Sequence, residues 1–337
     1  MSQTLKIAIP MAGYGSRLRP HTWSKPKPLI QLAGKTVLDF VLEQFDTLPD
    51  PANVEYVFIV GPQGDQIKAY MDQYHPDKKV HYVVQEQMRG QSDALYQARQ
   101  YLTGPTMMTF SDTLLEVDLG FLKDEQADGV ALVKPVPDPR RFGVAQIDEN
   151  GRVKRLIEKP TDISNNLALV GFYYFREGEA LIKAIEEQFS RELMLKGEYF
   201  LADAINVMIE HDSHFRVEEI NTWLDAGTPE ALFDTNRYKL QHGYANDASC
   251  DSDKGVAIIP PVFIHPSAEV ESSVIGPNVS IGANCKISNV VIRNAIVDAE
   301  THLYDLVLKD SLLGRYVNIQ GQAASMNVGD NTSWVMK

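Results

Sequence analysis

An α/β fold follows from three features of this 337-residue sequence: a mostly parallel mixed sheet with helices on both faces, and a short parallel β-helix behind it. Short apolar runs alternate with amphipathic stretches through the first 245 residues, which is how strands joined by covering helices read. Between about 130 and 225 several strands come close together, which adds an antiparallel part to the sheet. From Val262 a different period begins, with aliphatic residues at every fifth or sixth position.

The elements follow in order. "LKIAIP" is a buried strand, and "TVLDFVLEQFDTL" is a helix with Val37, Leu38, Val41, Leu42, Phe45 and Leu48 on one face. Thr36 is its expected N-cap, with Asp39 in the first turn. "VEYVFIV" (54–60), "VHYVV" (80–84) and "TMMTF" (106–110) are the next strands, and "DQIKAYMDQY" and "SDALYQARQYL" are the helices between them. "GVALVK", "FGVAQID", "VKRLIEK", "LALVGFYYF" and "FRVEEI" supply the later strands, with a hairpin turn at Gly151. Helices are expected over 178–189 and 201–209.

In the last part, Ile264, Val270, Ile275, Ile281, Ile287, Ile292, Val297, Leu303, Leu308, Leu313 and Ile319 keep the short period. Each side of a triangular coil then contributes one inward aliphatic, giving roughly three coils. The expected organisation is a domain over 1–245, a polar linker over 246–261, the β-helix over 262–325 and a tail over 326–337.

Formal net charge is -13, which argues against general binding to nucleic acid or an anionic membrane. The two cysteines, Cys250 and Cys285, give neither a disulfide framework nor zinc spacing, and are expected to be buried or inert. No signal peptide and no apolar run near about 18 residues is evident, so a cytoplasmic protein is expected. Within this acidic chain, the first strand runs into "IPMAGYGSRLRPHTWSKPKPL", with Arg17, Arg19, Lys25 and Lys27 and no acid before Asp39. Glycines let backbone N–H groups approach an anion, and Arg and Lys neutralise phosphate oxygens. The Walker A spacing is absent and Leu18 stands where a dinucleotide fingerprint has its third Gly, so the residues alone leave a phosphate loop or a surface loop open.

"MAGYGSRLRPHT" followed by "KPKPL" resembles the signature of the sugar-1-phosphate nucleotidyltransferases, or NDP-sugar pyrophosphorylases. The resemblance covers residues 5 to about 235 and implies a Rossmann-like domain. With the coils behind it, it implies a C-terminal hexapeptide-repeat left-handed β-helix. It implies that Ala12, Gly13, Gly15, Ser16 and Arg17 grip the NTP and that Lys27 supports the phosphates at the reaction centre; the role of Lys25 is left open. "VVQEQMRGQSDALYQA" matches the base-binding segment, with Gln85 reading the nucleobase edge and Gly90 allowing close backbone approach. "FSDT" makes Asp112 a metal ligand, and "WLDAGTPEAL" makes Asp225 the second. "FGVAQIDENGRVKRLIEKP" places Gly143 and Glu158 at sugar hydroxyls and Lys159 at the sugar phosphate, and "ALVGFYYF" adds Gly171 and Tyr173. The chain departs from the pattern at Ser111, where Gly is usual, and at Ser92, where Ala is commoner.

The implied reaction joins an NTP to a sugar 1-phosphate, glucose 1-phosphate favoured, with Mg2+, releasing pyrophosphate. Arg17, Lys27 and Lys159 are the expected catalytic cations. A regulatory, non-catalytic role is the alternative Ser111 suggests. Acetyl transfer by the coils, with His265 or His302, is another. The β-helix is expected to assemble the chain into a homo-oligomer. Trp223 is expected to pack rather than to touch substrate.

Overall fold

The computed structural model describes residues 3–246 and 254–322. It divides into two compact units, Met1–Ile30 with Lys35–Leu232, and Gln31–Gly34 with Phe233–Lys337. No helix among the described residues is long and apolar enough to cross a membrane.

After β1 (Leu5–Met11) come the two-residue strands β2 (Gln31–Leu32) and β3 (Lys35–Thr36), then α1 (Val37–Glu43), β4 (Val54–Val60), α2 (Gly64–Tyr74), β5 (Val80–Val84), α3 (Gln91–Gln97) and β6 (Thr106–Thr109). The chain continues through β7 (Thr113–Glu116), β8 (Gly129–Pro135), β9 (Gly143–Ile147), β10 (Val153–Glu158) and β11 (Leu167–Phe175). Next are α4 (Gly178–Ser190), α5 (Leu201–Glu210), β12 (Phe215–Glu219), β13 (Thr222–Asp225) and α6 (Pro229–Lys239). The main sheet has the order β10-β9-β11-β6-β1-β4-β5, with β8 joining β11 to β12. β5, β4, β1 and β6 are parallel; β11 enters antiparallel beside β6. The expected mixed sheet is therefore present. β1 lies between β4 and β6, so its carboxyl end opens at the switch in strand order, where such sheets bind ligands.

Ile7, Ile9, Val57 and Phe58 are fully buried, as a strand covered on both faces requires. Thr36 caps α1 in a reciprocal capping box with Asp39. α1 ends at Glu43, earlier than the apolar spacing predicts, although Phe45 and Leu48 stay buried in the turns that follow. At its C-terminus the buried Gln44 side chain turns to β7, donating to the Thr113 carbonyl at 3.1 Å and accepting from the Leu115 N–H at 2.9 Å. A helix end thus anchors the strand that follows Asp112.

The second unit holds β14 (Ala257–Ile258), β15 (Val262–Ile264), β16 (Glu269–Glu271), β17 (Val274–Ile275), β18 (Val279–Ile281), β19 (Lys286–Val297), β20 (His302–Leu313) and β21 (Asn318–Gln320), all paired in parallel. Every aliphatic of the short period is buried in its core or packed against it. Val262 pairs with Val279 and Val279 with Ala295, so a coil takes 16 or 17 residues and its sides take five or six. Asn278, Asn294 and Asp310 occupy one set of corners in left-handed conformation, which Asn and Asp tolerate better than other non-glycine residues. Asn294 donates to Asp310 at 2.6 Å and Asn289 to Asp305 at 2.7 Å, tying corner to corner. β14 falls inside the 246–261 stretch expected as linker, and the second unit begins at Phe233. Residues 247–253 of that stretch, with Cys250, and the 326–337 tail lie outside the described residues.

Candidate active site

The basic loop leaves β1 at the switch point. Gly15 has φ 59°, and a Cβ there would lie 2.9 Å from Thr22 Cγ2, so this corner needs glycine. Buried Thr22 donates its hydroxyl to the Gly15 carbonyl at 2.8 Å, and buried Leu18 pins the short 3-10 turn Ser16–Leu18. Arg17 is thereby left exposed toward the site. Gly13 faces open space, and Ala12 and Gly13 line a cavity of about 240 Å³ shared with Trp23 and Gly61. At Gly61 a Cβ would fall 2.4 Å from the Ala12 carbonyl oxygen, so the end of β4 supports this loop closely. Thr22 closes the quoted signature and acts within its own loop, whereas Gly61 did not stand out in the sequence, because its partner Ala12 is distant along the chain.

Lys27 opens a second 3-10 turn, Lys27–Leu29, and its ammonium pairs with the Asp112 carboxylate. Asp112 and Asp225, 113 positions apart in the sequence, are brought together by a two-stranded antiparallel ladder. β7 starts one residue after Asp112, β13 ends at Asp225, and Asp225 is the register partner of Thr113. The Ala226 N–H donates to the Asp112 carbonyl at 3.0 Å and closes the pair. Crowding by surrounding protein, and then the Asp112 carboxylate, push the Asp225 carboxyl up; Lys27 and Arg17 pull it back. Among the described residues no third acid, His or Cys completes a metal cluster. Two carboxylates with a mutual charge cost fit a hard divalent cation that takes its remaining oxygens from phosphates.

Arg17, Asp112 and Asp225 border a second cavity of about 600 Å³, also lined by Gly143, Glu158, Gly171, Tyr173 and Trp223. A Cβ on Gly143 would meet Glu158 Oε2 at 3.0 Å, and one on Gly171 (φ 80°) would meet the Phe110 ring at 2.3 Å. Both glycines thus keep the wall thin. Asn206 of α5 brackets Leu156, accepting from its N–H at 2.8 Å and donating to its carbonyl at 2.9 Å. This holds the strand that ends at Glu158. Burial pushes the Glu158 carboxyl up, with Asp203 and Glu198 adding to it and Lys159 opposing. Trp223 packs edge-on against Phe142 at 4.9 Å, as expected, and also borders the cavity. Lys159 is not among the lining residues: its ammonium lies 4.9 Å from the centre of the Phe200 ring. The cavity's basic side chains are Arg17, Lys134 and Arg141. Arg141 had no motif to mark it.

Gln85 is buried at the end of β5, its amide nitrogen donating to Asp93 at 2.9 Å. Gly90 (φ 106°) is required by the Tyr199 backbone, whose carbonyl oxygen would be 2.5 Å from an added Cβ. Ser92 is fully buried, with a hydroxyl that finds no partner, so this departure acts on packing instead of lining a pocket. Ser111 is buried and does not line the large cavity; Lys25 is buried. In the second unit, His265 bonds Ser267 at 2.8 Å in a local turn. Cys285 is buried, donates to the Asp298 carbonyl at 3.2 Å and has its thiol pushed up by burial.

A cationic loop thus lies beside paired carboxylates at the switch point of an open α/β sheet, where such sheets bind ligands. The nucleotidyl transferase family profile matches residues 8–242, and a profile described as GMPPB C-terminal domain matches 258–330. The chain belongs to the nucleotidyl transferase family and is an enzyme of that family. It is 32% identical to the low-salt glycan biosynthesis nucleotidyltransferase Agl11 of Haloferax volcanii, over 94% of both chains. It is 28% identical to a glucose-1-phosphate thymidylyltransferase of Streptomyces griseus, over 95% of this chain and 89% of that one. A solved structure described as UDP-glucose pyrophosphorylase complexed with UDP-glucose superposes with TM-score 0.62 at 20% identity, covering 72% of this chain and all of that one; it shares the fold.

Proposed function

We propose that the chain transfers a nucleotidyl group from an NTP to a sugar 1-phosphate, glucose 1-phosphate favoured, giving an NDP-sugar and pyrophosphate. The observation that carries this reading is the convergence of Arg17, Lys27, Asp112 and Asp225 beside a cavity walled by Gly143, Glu158 and Gly171. The names of the relatives, a thymidylyltransferase acting on glucose 1-phosphate and a UDP-glucose pyrophosphorylase, support the sugar.

Two polyanions must meet, so charge and positioning are the obstacles. The loop at Ala12–Arg17 receives the triphosphate, and Arg17 offsets charge that builds on the departing pyrophosphate. Lys27 releases Asp112 to serve the α-phosphate. An oxygen of the sugar phosphate forms the new bond to the α-phosphorus as the bond to pyrophosphate breaks. That oxygen is already ionised near neutral pH, so no general base is needed. Glu158 accepts from sugar hydroxyls across the thin wall at Gly143 and Gly171, and Arg141 receives the incoming phosphate; Lys159 joins it by leaving the Phe200 ring. Asp112 and Asp225 would hold Mg2+, which supplies charge neutralisation among phosphate oxygens.

Pyrophosphate release tests this, with Mg2+ and ATP, GTP, CTP, UTP or dTTP against glucose, mannose, galactose and N-acetylglucosamine 1-phosphates. Release dependent on one NTP and one sugar is expected; a folded protein silent across the panel would overturn the reading in favour of a regulatory role. Assembly belongs to the same proposal: Val274, Val291 and Val307 stack in register on an outer face of the β-helix, Val307 being 81% exposed. Sedimentation at micromolar concentration is expected to show an oligomer.

A further inference from the structure

We infer that Asn236 is a positioning residue for Lys27 and Asp225, and that the second unit supports catalysis through it. Its buried side chain ties the segment that follows Lys27 to the helix that follows Asp225. This rests on the transfer reaction proposed above, in which both residues act.

Four residues from the catalytic part of the sequence, Gln31–Gly34, belong to the second unit. The turn that carries Lys27 runs directly into them. Within that turn the Leu29 N–H donates to the Pro26 carbonyl and the Ile30 N–H to the Lys27 carbonyl, both at 3.0 Å, and Ile30 is buried. At Ala33 the backbone becomes left-handed, with φ 46°, followed by φ 83° at Gly34. Alanine is disfavoured in that region, so the surroundings must hold the turn. The Ala33 N–H donates to Asn236 Oδ1 at 2.9 Å, with Ser280 Oγ also in reach at 3.1 Å. The Ser280 hydroxyl donates to the same Asn236 oxygen at 2.6 Å. Ala33, Asn236 and Ser280 are all buried, and all three lie in the second unit. Two converging donors fix the Asn236 amide with its oxygen toward Ala33. A Cβ on Gly34 would lie 2.4 Å from the Phe263 ring, so the turn sits tightly against β15. Ser280 stands on the coil strand β18, and Asn236 on α6, the helix that begins at Pro229 shortly after Asp225. One buried acceptor thus joins the exit of the Lys27 turn, the helix after Asp225 and the β-helix. Moving any one of them alone leaves a buried N–H without its partner.

Hydrogen exchange read amide by amide on the whole chain tests this, alongside kcat and KM from pyrophosphate release. Three variants are compared with wild type. Asn236→Leu with Ser280→Ala removes both acceptors, Ser280→Ala removes one, and Asn236→Asp keeps an oxygen toward Ala33. In the double variant the Ala33 amide is expected to exchange about tenfold faster or more, and Leu29 and Ile30 about threefold faster, with the β4 amides unchanged. Its kcat is expected to fall about tenfold, because a small displacement of positioned groups is costly, while KM for the sugar phosphate stays within about twofold. Asn236→Asp is expected to keep exchange and kcat within about twofold of wild type, since the acceptor remains. If the double variant fails to fold, Ser280→Ala decides: exchange at Ala33 and Ile30 about threefold faster and kcat about threefold lower are expected. Faster exchange at Ala33 with Leu29, Ile30 and kcat as in wild type would make the contact a structural anchor only, and overturns the inference. Uniform acceleration that includes β4, or unchanged exchange at Ala33, overturns it as well. A wild type that releases no pyrophosphate would defeat the transfer reaction; exchange at Leu29 and Ile30 would still decide whether Asn236 holds the Lys27 turn.

Discussion

Aspartates do opposite work in the two units. At a β-helix corner, Asp310 accepts from Asn294, and that hydrogen bond holds its carboxyl below the usual range. In the catalytic unit Asp225 is crowded, faces the like charge of Asp112 and is pushed up. The corner carboxylate is satisfied by its own chain. The paired carboxylates keep a like-charge conflict that Lys27 and Arg17 offset only in part, since the Asp225 carboxyl stays raised. A structural acid and a functional acid differ less in residue type than in whether the fold completes their bonding.

Removing one of the paired carboxylates should have the largest effect on turnover. Asp112→Asn or Asp225→Asn is expected to lower pyrophosphate release by at least about 10²–10³-fold, with circular dichroism unchanged. Near-normal turnover would break the contrast at its functional end. The opposite end is tested in the coil: Ile292→Ala, at a fully buried position, is expected to cost about 2–5 kcal/mol of stability. Val307→Ser, on the outer face, is expected to change monomer stability by no more than about 0.5 kcal/mol. Chemical denaturation separates the two.

A pH profile sharpens the comparison further. The raised Glu158 carboxyl takes up its proton at a higher pH than an ordinary glutamate. As pH falls through that raised value, Glu158 stops acting as an ionised acceptor, and the KM for sugar phosphate is expected to rise. Glu158→Gln should give a weak site whose KM no longer varies with pH in that range; a profile identical to wild type would remove Glu158 from the sugar. The smallest effect is expected at Ser92, whose buried hydroxyl is unpartnered: Ser92→Ala should raise stability by about 1 kcal/mol.

The β-helix was the more legible unit. Each of its aliphatics sees nearly the same surroundings as the one a coil away, so the environment repeats along the chain and the period alone reports it. The αL corners at Asn278, Asn294 and Asp310 are equally local. In the catalytic unit β4 and β5 were readable as whole strands, and the loop at Gly15–Arg17 was readable as a basic, glycine-bearing exit from β1, because strand, glycine and cations are contiguous. Less legible were Gly90, whose left-handed corner is packed by the Tyr199 backbone, and Ser92, a departure from the pattern that is sealed in the core.

Composition, period and contiguous motifs thus determined the two-part architecture and the basic character of the loop, since each depends on neighbours within a few residues. Only the tertiary structure decided the rest. The ladder between β7 and β13 places Asp225 beside Asp112, α1 anchors that ladder through Gln44, and Asn236 holds the amide of Ala33. These are pairings between distant segments, and no local preference encodes which distant partner a side chain meets.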